Sequence, residues 1–164
     1  MLEAEQRNDA TRLPVDEDEF VPLPPWAQLA NAGQLKAGIV EFIRKEGDVL
    51  FPQLQDAMEP YMDIKGDQGL AARSNPNTVL WAGLSQPLCE LLCELVSSKR
   101  IYIHPTDIER YKSIQKGLRL SILKEPTDEK LLRASWLPSS LRTAPHPVHS
   151  ARLSRIGRMK LGGS

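Results

Sequence analysis

Three stretches of the chain place apolar residues at the three- and four-residue spacings of an amphipathic helix. The first runs from about Gly33 to Glu46, and the second begins near Pro52, with Pro60 ending or kinking it early. The third, from Gln86 to Ser98, has the broadest apolar face. We expect the apolar faces of these helices to form the core: Ile39, Phe42, Ile43, Leu54, Met58, Leu88, Leu91, Leu92 and Leu95.

After the third helix the period changes from helical to alternating. Residues 101–104 alternate with period two, as in a half-buried strand, and the alternation returns between 108 and 122 around two turns. Residues 99–123 are therefore predicted to form a small antiparallel hairpin or meander. Residues 63–77 contain Gly66, Gly69 and the turn signal Asn75-Pro76-Asn77, so a loop is predicted there.

The order of helix, helix, Leu-rich helix and β-hairpin resembles the winged-helix variant of the helix-turn-helix class. The resemblance covers about residues 33–123 and includes the abrupt change from helix to strand at Lys99-Arg100-Ile101. It implies an α+β fold, a small winged-helix-like domain of three helices followed by a β-hairpin, flanked by disordered tails. In this class the third helix typically enters the major groove of DNA.

Charge divides the chain into three parts, although Lys plus Arg and Asp plus Glu both number 21. Residues 1–31 hold seven acids, two arginines and several prolines, which predict an acidic, Pro-rich, disordered arm. Residues 32–124 are nearly balanced and are predicted to be the winged-helix-like domain. Residues 125–164 hold seven basic residues and three acids, the last at Glu129, and are predicted to be a basic, mostly disordered tail.

Two apolar features outside the predicted domain have more than one interpretation. Trp26 either anchors the arm on the domain or lies exposed in a flexible linker. The apolar residues of 131–141 either dock on the domain or belong to the tail. Cys89 and Cys93 agree with a reducing compartment, and no apolar run reaches the ~18–20 residues of a membrane span, so the default prediction is a cytoplasmic protein without a membrane partner.

The non-core face of the third helix carries Glu90 and Glu94, which are unfavourable opposite phosphates. Positive charge is predicted on the hairpin and its entry instead, and the tail adds Arg152, Arg155, Arg158 and Lys160. The candidate nucleic-acid-binding residues are therefore Lys99, Arg100, Arg110, Lys112, Lys116 and Arg119. The predicted function is a non-enzymatic binding module that contacts DNA or RNA through a basic hairpin and tail, with a regulatory role as one option. The alternative is a winged-helix-type protein-interaction domain, including a homodimer, that binds no nucleic acid.

Neither catalysis nor metal binding has a strong sequence signal. The chain has no P-loop, GxSxG, HExxH or GxGxxG motif, so no enzyme is predicted. Cys89 and Cys93 lie four residues apart in a helical pattern, a weak match to zinc-ligand spacing even with His104 nearby. Small apolar thiols beside a leucine face are the commoner explanation, and no metal or cofactor is predicted.

Overall fold

The computed structural model describes residues 21–149 and 151–160 of the 164-residue chain. The helices of this part are α1 (Pro25–Asn31), α2 (Leu35–Glu46), α3 (Phe51–Met58), α4 (Gln86–Ser97) and α5 (Ile108–Ser113). Its strands are β1 (Val49–Leu50), β2 (Lys65–Ala72), β3 (Thr78–Leu84), β4 (Tyr102–Pro105), β5 (Ser121–Ile122), β6 (Ser135–Trp136), β7 (Ser139–Arg142) and β8 (Ile156–Lys160).

The strands form two sheets that share one stretch of chain. The three-stranded sheet has the order β1-β7-β4, with antiparallel pairing throughout. The five-stranded sheet has the order β5-β6-β3-β2-β8, in which β2 pairs antiparallel with β3 and β8, while β6 pairs parallel with β3 and β5. Because β6 and β7 are consecutive but belong to different sheets, residues 135–142 tie the two sheets together.

The chain is an α+β protein with two sheets, and the predicted winged-helix-like domain of three helices and a hairpin is wrong. Residues 99–123 form no hairpin, because β4 pairs with β7, residues 108–113 are helical, and β5 pairs with β6. The loop predicted at 63–77 contains β2. β4, β5 and one edge of β2 pair with strands from residues 135–160, part of the segment predicted as a tail. Residues 1–20 of the predicted acidic arm lie outside the described residues.

The three predicted helices are confirmed, and their apolar faces meet in one core. α4 begins at Ser85, whose hydroxyl oxygen accepts a hydrogen bond of 3.2 Å from the backbone N–H of Leu88. α2 ends at Gly47, which has the positive φ of 87° that favours glycine. Seven of the nine predicted core residues are buried, and Phe42 and Leu91 pack on the core from half-buried positions.

A cluster of large, buried aromatic side chains links the five-stranded sheet with α5. Trp136 lies with its ring centroid 5.0 Å from that of Tyr111 and 5.8 Å from that of Trp81. Its indole N–H donates to the carbonyl of Leu80 at 3.2 Å, and the hydroxyl of Tyr111 donates to the carbonyl of Ser139 at 2.6 Å. The indole N–H of Trp136 and the hydroxyl of Tyr111 therefore both donate to backbone carbonyls, in β3 and β7.

Of the two interpretations of Trp26, the structure supports the first: the side chain packs against the domain. It lies in α1, with its ring centroid 4.9 Å from Phe42 and 6.2 Å from Tyr61, both in edge-to-face arrangements. None of the helices in residues 21–149 and 151–160 combines the length and apolarity that a membrane span requires.

Candidate functional site

The six cations predicted to bind nucleic acid do not form one compact cluster. Lys99 and Arg100 are exposed just beyond the last residue of α4, where Lys99 has the left-handed φ of 62° that ends the helix. Lys116 instead lines a shallow pocket with Trp81 and Gly83, which precede α4. A helix of 12 residues is about 18 Å long, so these cations are separated by roughly the length of α4.

Two of the six cations are engaged with acids. Arg110 donates to the carboxylate of Asp48 at 2.8 Å and to the hydroxyl of Thr106 at 3.0 Å. Lys112 lies 3.5 Å from the carboxylate of Glu109, on the exposed side of α5. Lys99, Arg100, Lys116 and Arg119 form no ion pair within the described part of the chain.

Asp48 is the centre of a polar cluster that joins three elements. Its Oδ2 accepts from Arg110 of α5 at 2.8 Å and from Arg142 of β7 at 3.0 Å, and it precedes β1 directly. Partial burial alone would raise the pKa of Asp48, but hydrogen bonding and the charges of Arg142 and Arg110 outweigh it and hold that pKa below its usual value. Arg110 therefore has a structural role in this cluster.

Arg110→Ala is expected to lower the free energy of unfolding by about 1–3 kcal/mol, because it removes charge-assisted hydrogen bonds from a partly buried carboxylate. Urea denaturation measures this loss, and a double-mutant cycle with Asp48→Ala isolates the coupling between the two side chains. Lys112→Ala is the control on the same helix and should cost less than about 0.5 kcal/mol, since its ion pair is exposed. Equal costs for the two variants would contradict a structural role for Arg110.

A second cluster of cations lies at one end of the five-stranded sheet. There the turn after β2 meets the segment before β8, and the backbone N–H of Arg73 donates to the carbonyl of Arg155 at 3.0 Å. The hydroxyl of Ser74 donates to the carbonyl of Arg152 at 3.0 Å. Together these segments enclose a pocket of about 400 Å³, which we term the arginine pocket: Arg73, Ser74, Ala151, Arg152, Ser154 and Arg155.

The three guanidinium groups of the arginine pocket differ in their partners. Arg152 donates to both carboxylate oxygens of Asp128, at 3.0 and 2.5 Å. Those hydrogen bonds and the paired charges lower the pKa of Asp128 and raise that of Arg152. Arg73 and Arg155 are exposed and have no ion pair within the described ranges. The pocket therefore presents two uncompensated guanidinium groups beside a third that Asp128 orients.

Neighbouring segments hold this end of the sheet in place. The side-chain amide of Asn75 donates to the carbonyls of Thr127 at 3.0 Å and Glu129 at 2.9 Å, and that of Asn77 donates to Leu131 at 2.7 Å. The same segment supplies Asp128 to the pocket. The Asn side chains of the β2–β3 turn thus fix the position of the acid that orients Arg152.

Sequence reasoning assigned Arg152 and Arg155 to the basic tail but missed Arg73, which it left inside a predicted loop. Of the other tail cations, Arg158 lies 3.4 Å from Glu90 and Lys160 lies 3.8 Å from Asp67. The glutamates of α4 are exposed and paired within the chain, Glu90 with Arg158 of β8 and Glu94 with Lys36 of α2. A sequence signal for the β2–β3 hairpin, whose turn includes Arg73, did exist. Asn75-Pro76-Asn77 is a turn sequence between two apolar stretches.

Both cysteines are free thiols, Cys89 buried and Cys93 half-buried. Burial raises the pKa of the Cys89 thiol to about 12, and the charge of the neighbouring Cys93 adds to that rise. A thiol with so high a pKa is a poor nucleophile at neutral pH. Among the described residues, no group of three or more His, Cys, Asp or Glu side chains is arranged to hold a metal ion.

Comparisons with protein-family models, with curated proteins and with solved structures found no match to this chain.

Proposed function

We propose that the protein is a non-enzymatic binding module that contacts the phosphate backbone of DNA or RNA through the arginine pocket. The observation that carries the proposal is the presence of Arg73 and Arg155, unpaired and exposed, beside Arg152 in its Asp128 clamp. Guanidinium groups match phosphate oxygens in geometry and charge. The pocket hydroxyls of Ser74 and Ser154 are hydrogen-bonding groups of the kind that also contact phosphates.

The distribution of charge supports the same proposal. Residues 1–20 hold seven acids and two arginines, so the rest of the chain holds 19 basic residues against 14 acids. No acid follows Glu129, and the pocket draws two of its arginines from that acid-free region. Contacts to phosphate alone carry no sequence information, so binding should tolerate many sequences. The cytoplasm is the proposed location, where a reducing environment keeps Cys89 and Cys93 as thiols.

The test is fluorescence anisotropy of a labelled random-sequence duplex at two salt concentrations. If the pocket neutralises three phosphates, the affinity should fall about 40-fold between ~50 and ~200 mM salt, since each phosphate adds about 0.9 to the slope of log K against log salt. Arg73→Glu with Arg155→Glu should weaken binding at least tenfold on every sequence. Lys45→Glu with Lys65→Glu is the matched control, because both lysines are exposed cations without an ion pair among the described residues, and this equal change of charge should lower the affinity far less.

Two outcomes would overturn the proposal. One is no detectable binding of duplex or single-stranded nucleic acid at ~50 mM salt, where screening is weak. The other is an equal loss of affinity for the double-lysine variant and the arginine variant, which would assign binding to total charge rather than to the pocket.

One observation favours the alternative, a protein-interaction module. An apolar groove of about 520 Å³ lies beside the edge strand β5, lined by Pro105, Ile108, Ile122, Leu123 and Pro138 among others. Ile122 is 45% exposed there, and β5 has a sheet neighbour on one side only. Edge strands and apolar grooves are the features that extended peptide segments recognise.

A further inference from the structure

All three histidines of the chain meet in one place, although they are far apart in sequence. His104 lies in β4, and His146 and His149 lie in the segment that follows β7. The ring centroids are 5.2 Å apart for His104 and His146, and 4.8 Å apart for His146 and His149. We term these three side chains the histidine cluster.

The hydrogen bonds of the histidine cluster attach the segment 143–149 to β4 and give that segment its local shape. Nε2 of His104 lies 2.6 Å from the carbonyl oxygen of Ala144, so this nitrogen carries the proton and donates it. Nδ1 of His146 accepts from the backbone N–H groups of Val148 and His149, both at 3.0 Å. The first bond joins the segment to the sheet, and the other two close its turn.

The bonds made by His146 require a neutral ring. An imidazolium ion carries a proton on both nitrogens and is a donor at each, so it has no acceptor to offer. Protonation of Nδ1 would place a hydrogen between that atom and two backbone N–H groups. The two hydrogen bonds that close the turn at 146–149 and a positive charge on His146 therefore exclude one another.

The charges around the histidine cluster also disfavour added protons. Besides burial, the charge of Arg142 of β7 lowers the pKa of both His104 and His146, and the charges of His104 and His149 lower the pKa of His146. The charge of Asp48, before β1, raises the pKa of His104, and this carboxylate is already paired with Arg142 and with Arg110 of α5. The charge of Asp48 is therefore already shared with two guanidinium groups.

We propose that the histidine cluster is a proton-sensitive latch: a neutral His146 holds the turn at 146–149 closed, and protonation of His146 opens that turn. The segment leads directly into residues 151–155 and then β8, and the N–H of Leu153 donates to the carbonyl of His149 at 3.2 Å. Opening of the turn would therefore loosen the lead-in to β8, which includes Arg152 and Arg155. The latch itself does not depend on what the arginine pocket binds.

The direction of the response follows from the folded environment. Burial lowers the pKa of His104, and burial together with the neighbouring histidines lowers that of His146, both from an ordinary value of 6.5. If the closed state binds fewer protons than the open state, its stability relative to the open state decreases as the pH falls. The latch should be closed above about pH 6.5 and open progressively below that value.

The test follows the backbone amides of Val148, His149 and Leu153 by two-dimensional NMR between about pH 7.5 and 5, a window in which histidine is the side chain that ordinarily titrates. We expect these amides to shift together, with a midpoint below 6.5, and to lose protection against exchange at the acid end. His146→Asn is the decisive variant, because the Asn side-chain oxygen can accept the same two N–H groups but cannot be charged. In this variant the same amides should keep their neutral-pH chemical shifts across the whole pH range.

His104→Gln is the second variant, since its amide N–H can donate to Ala144 without titrating. It should retain the contact with Ala144 at neutral pH and reduce the change in the amide chemical shifts of the segment at acid pH. This variant gives a result even if the Asn variant does not fold. The latch would be overturned if these amides kept their chemical shifts and their protection against hydrogen exchange down to pH 5 in the wild-type protein. An unchanged transition in both variants would overturn it equally.

Discussion

Trp136→Ala is expected to lower the free energy of unfolding by about 3–5 kcal/mol, the range for truncation of a large buried aromatic side chain. The side chain is 1% exposed and packs against Trp81 of β3 and Tyr111 of α5. Its removal leaves a cavity and also deprives the carbonyl of Leu80 of its N–H donor at 3.2 Å. Because β6 joins β3 to β5, the loss affects the pairing of the whole edge of the five-stranded sheet.

Urea denaturation followed by far-UV circular dichroism measures this cost. Trp26→Ala is the matched control, because Trp26 is half-buried on the surface of α1 and should cost distinctly less. Trp136→Phe keeps most of the ring and removes the donor, so it separates packing from the hydrogen bond. A cost below about 1 kcal/mol for Trp136→Ala would mean that residues 135–136 do not close the core as described.

The helices of this protein could be predicted because their signal is local. Leu88, Leu92 and Leu95 repeat at three- and four-residue spacing within one helix, and Ser85 marks its start. These features lie within a few residues of one another and do not depend on what the helix packs against. The periodicity therefore identified both the helix and its buried face.

Apart from the local β2–β3 hairpin, the sheets could not be predicted in the same way, because their pairing is long-range. β1, β5 and β6 are two residues long, too short to show an alternation. β2 is paired on both edges, and its run Leu70–Ala72 is buried without a clear polar face. The neighbour on one of these edges is β8, near the end of the chain, so the pairing has no signal within residues 63–77.

The same limit applies to the candidate site. The sequence shows where cations occur but not which acids neutralise them, and Arg110 is separated by 62 residues from the Asp48 that binds it. Arg73 joins Arg155 only through the contact between β2 and the segment before β8. The histidine cluster likewise depends on the position of the segment after β7 beside β4. Sites assembled from distant segments need the fold before their chemistry can be recognised.

Leu92→Ala is expected to cost about 2–5 kcal/mol, the range for leucine truncation in packed cores. Leu92 is 1% exposed on α4, which packs against β2 and β8. Leu132→Ala is the matched control, because that side chain is 92% exposed and its truncation should change stability by less than about 0.5 kcal/mol. A cost below ~0.5 kcal/mol at Leu92 would mean that α4 is peripheral.

The expected cost also bears on the role of α4. A groove-reading helix must present one free face to its ligand, whereas Glu90 of α4 is paired with Arg158 of β8 at 3.4 Å and Glu94 with Lys36 of α2 at 3.2 Å. Urea denaturation of the Leu92 variant should therefore show one cooperative transition in which α4, the five-stranded sheet and α2 unfold together. A separate early transition of α4 would indicate that the helix can detach from the sheet. In that case α4 could again be proposed as a binding element.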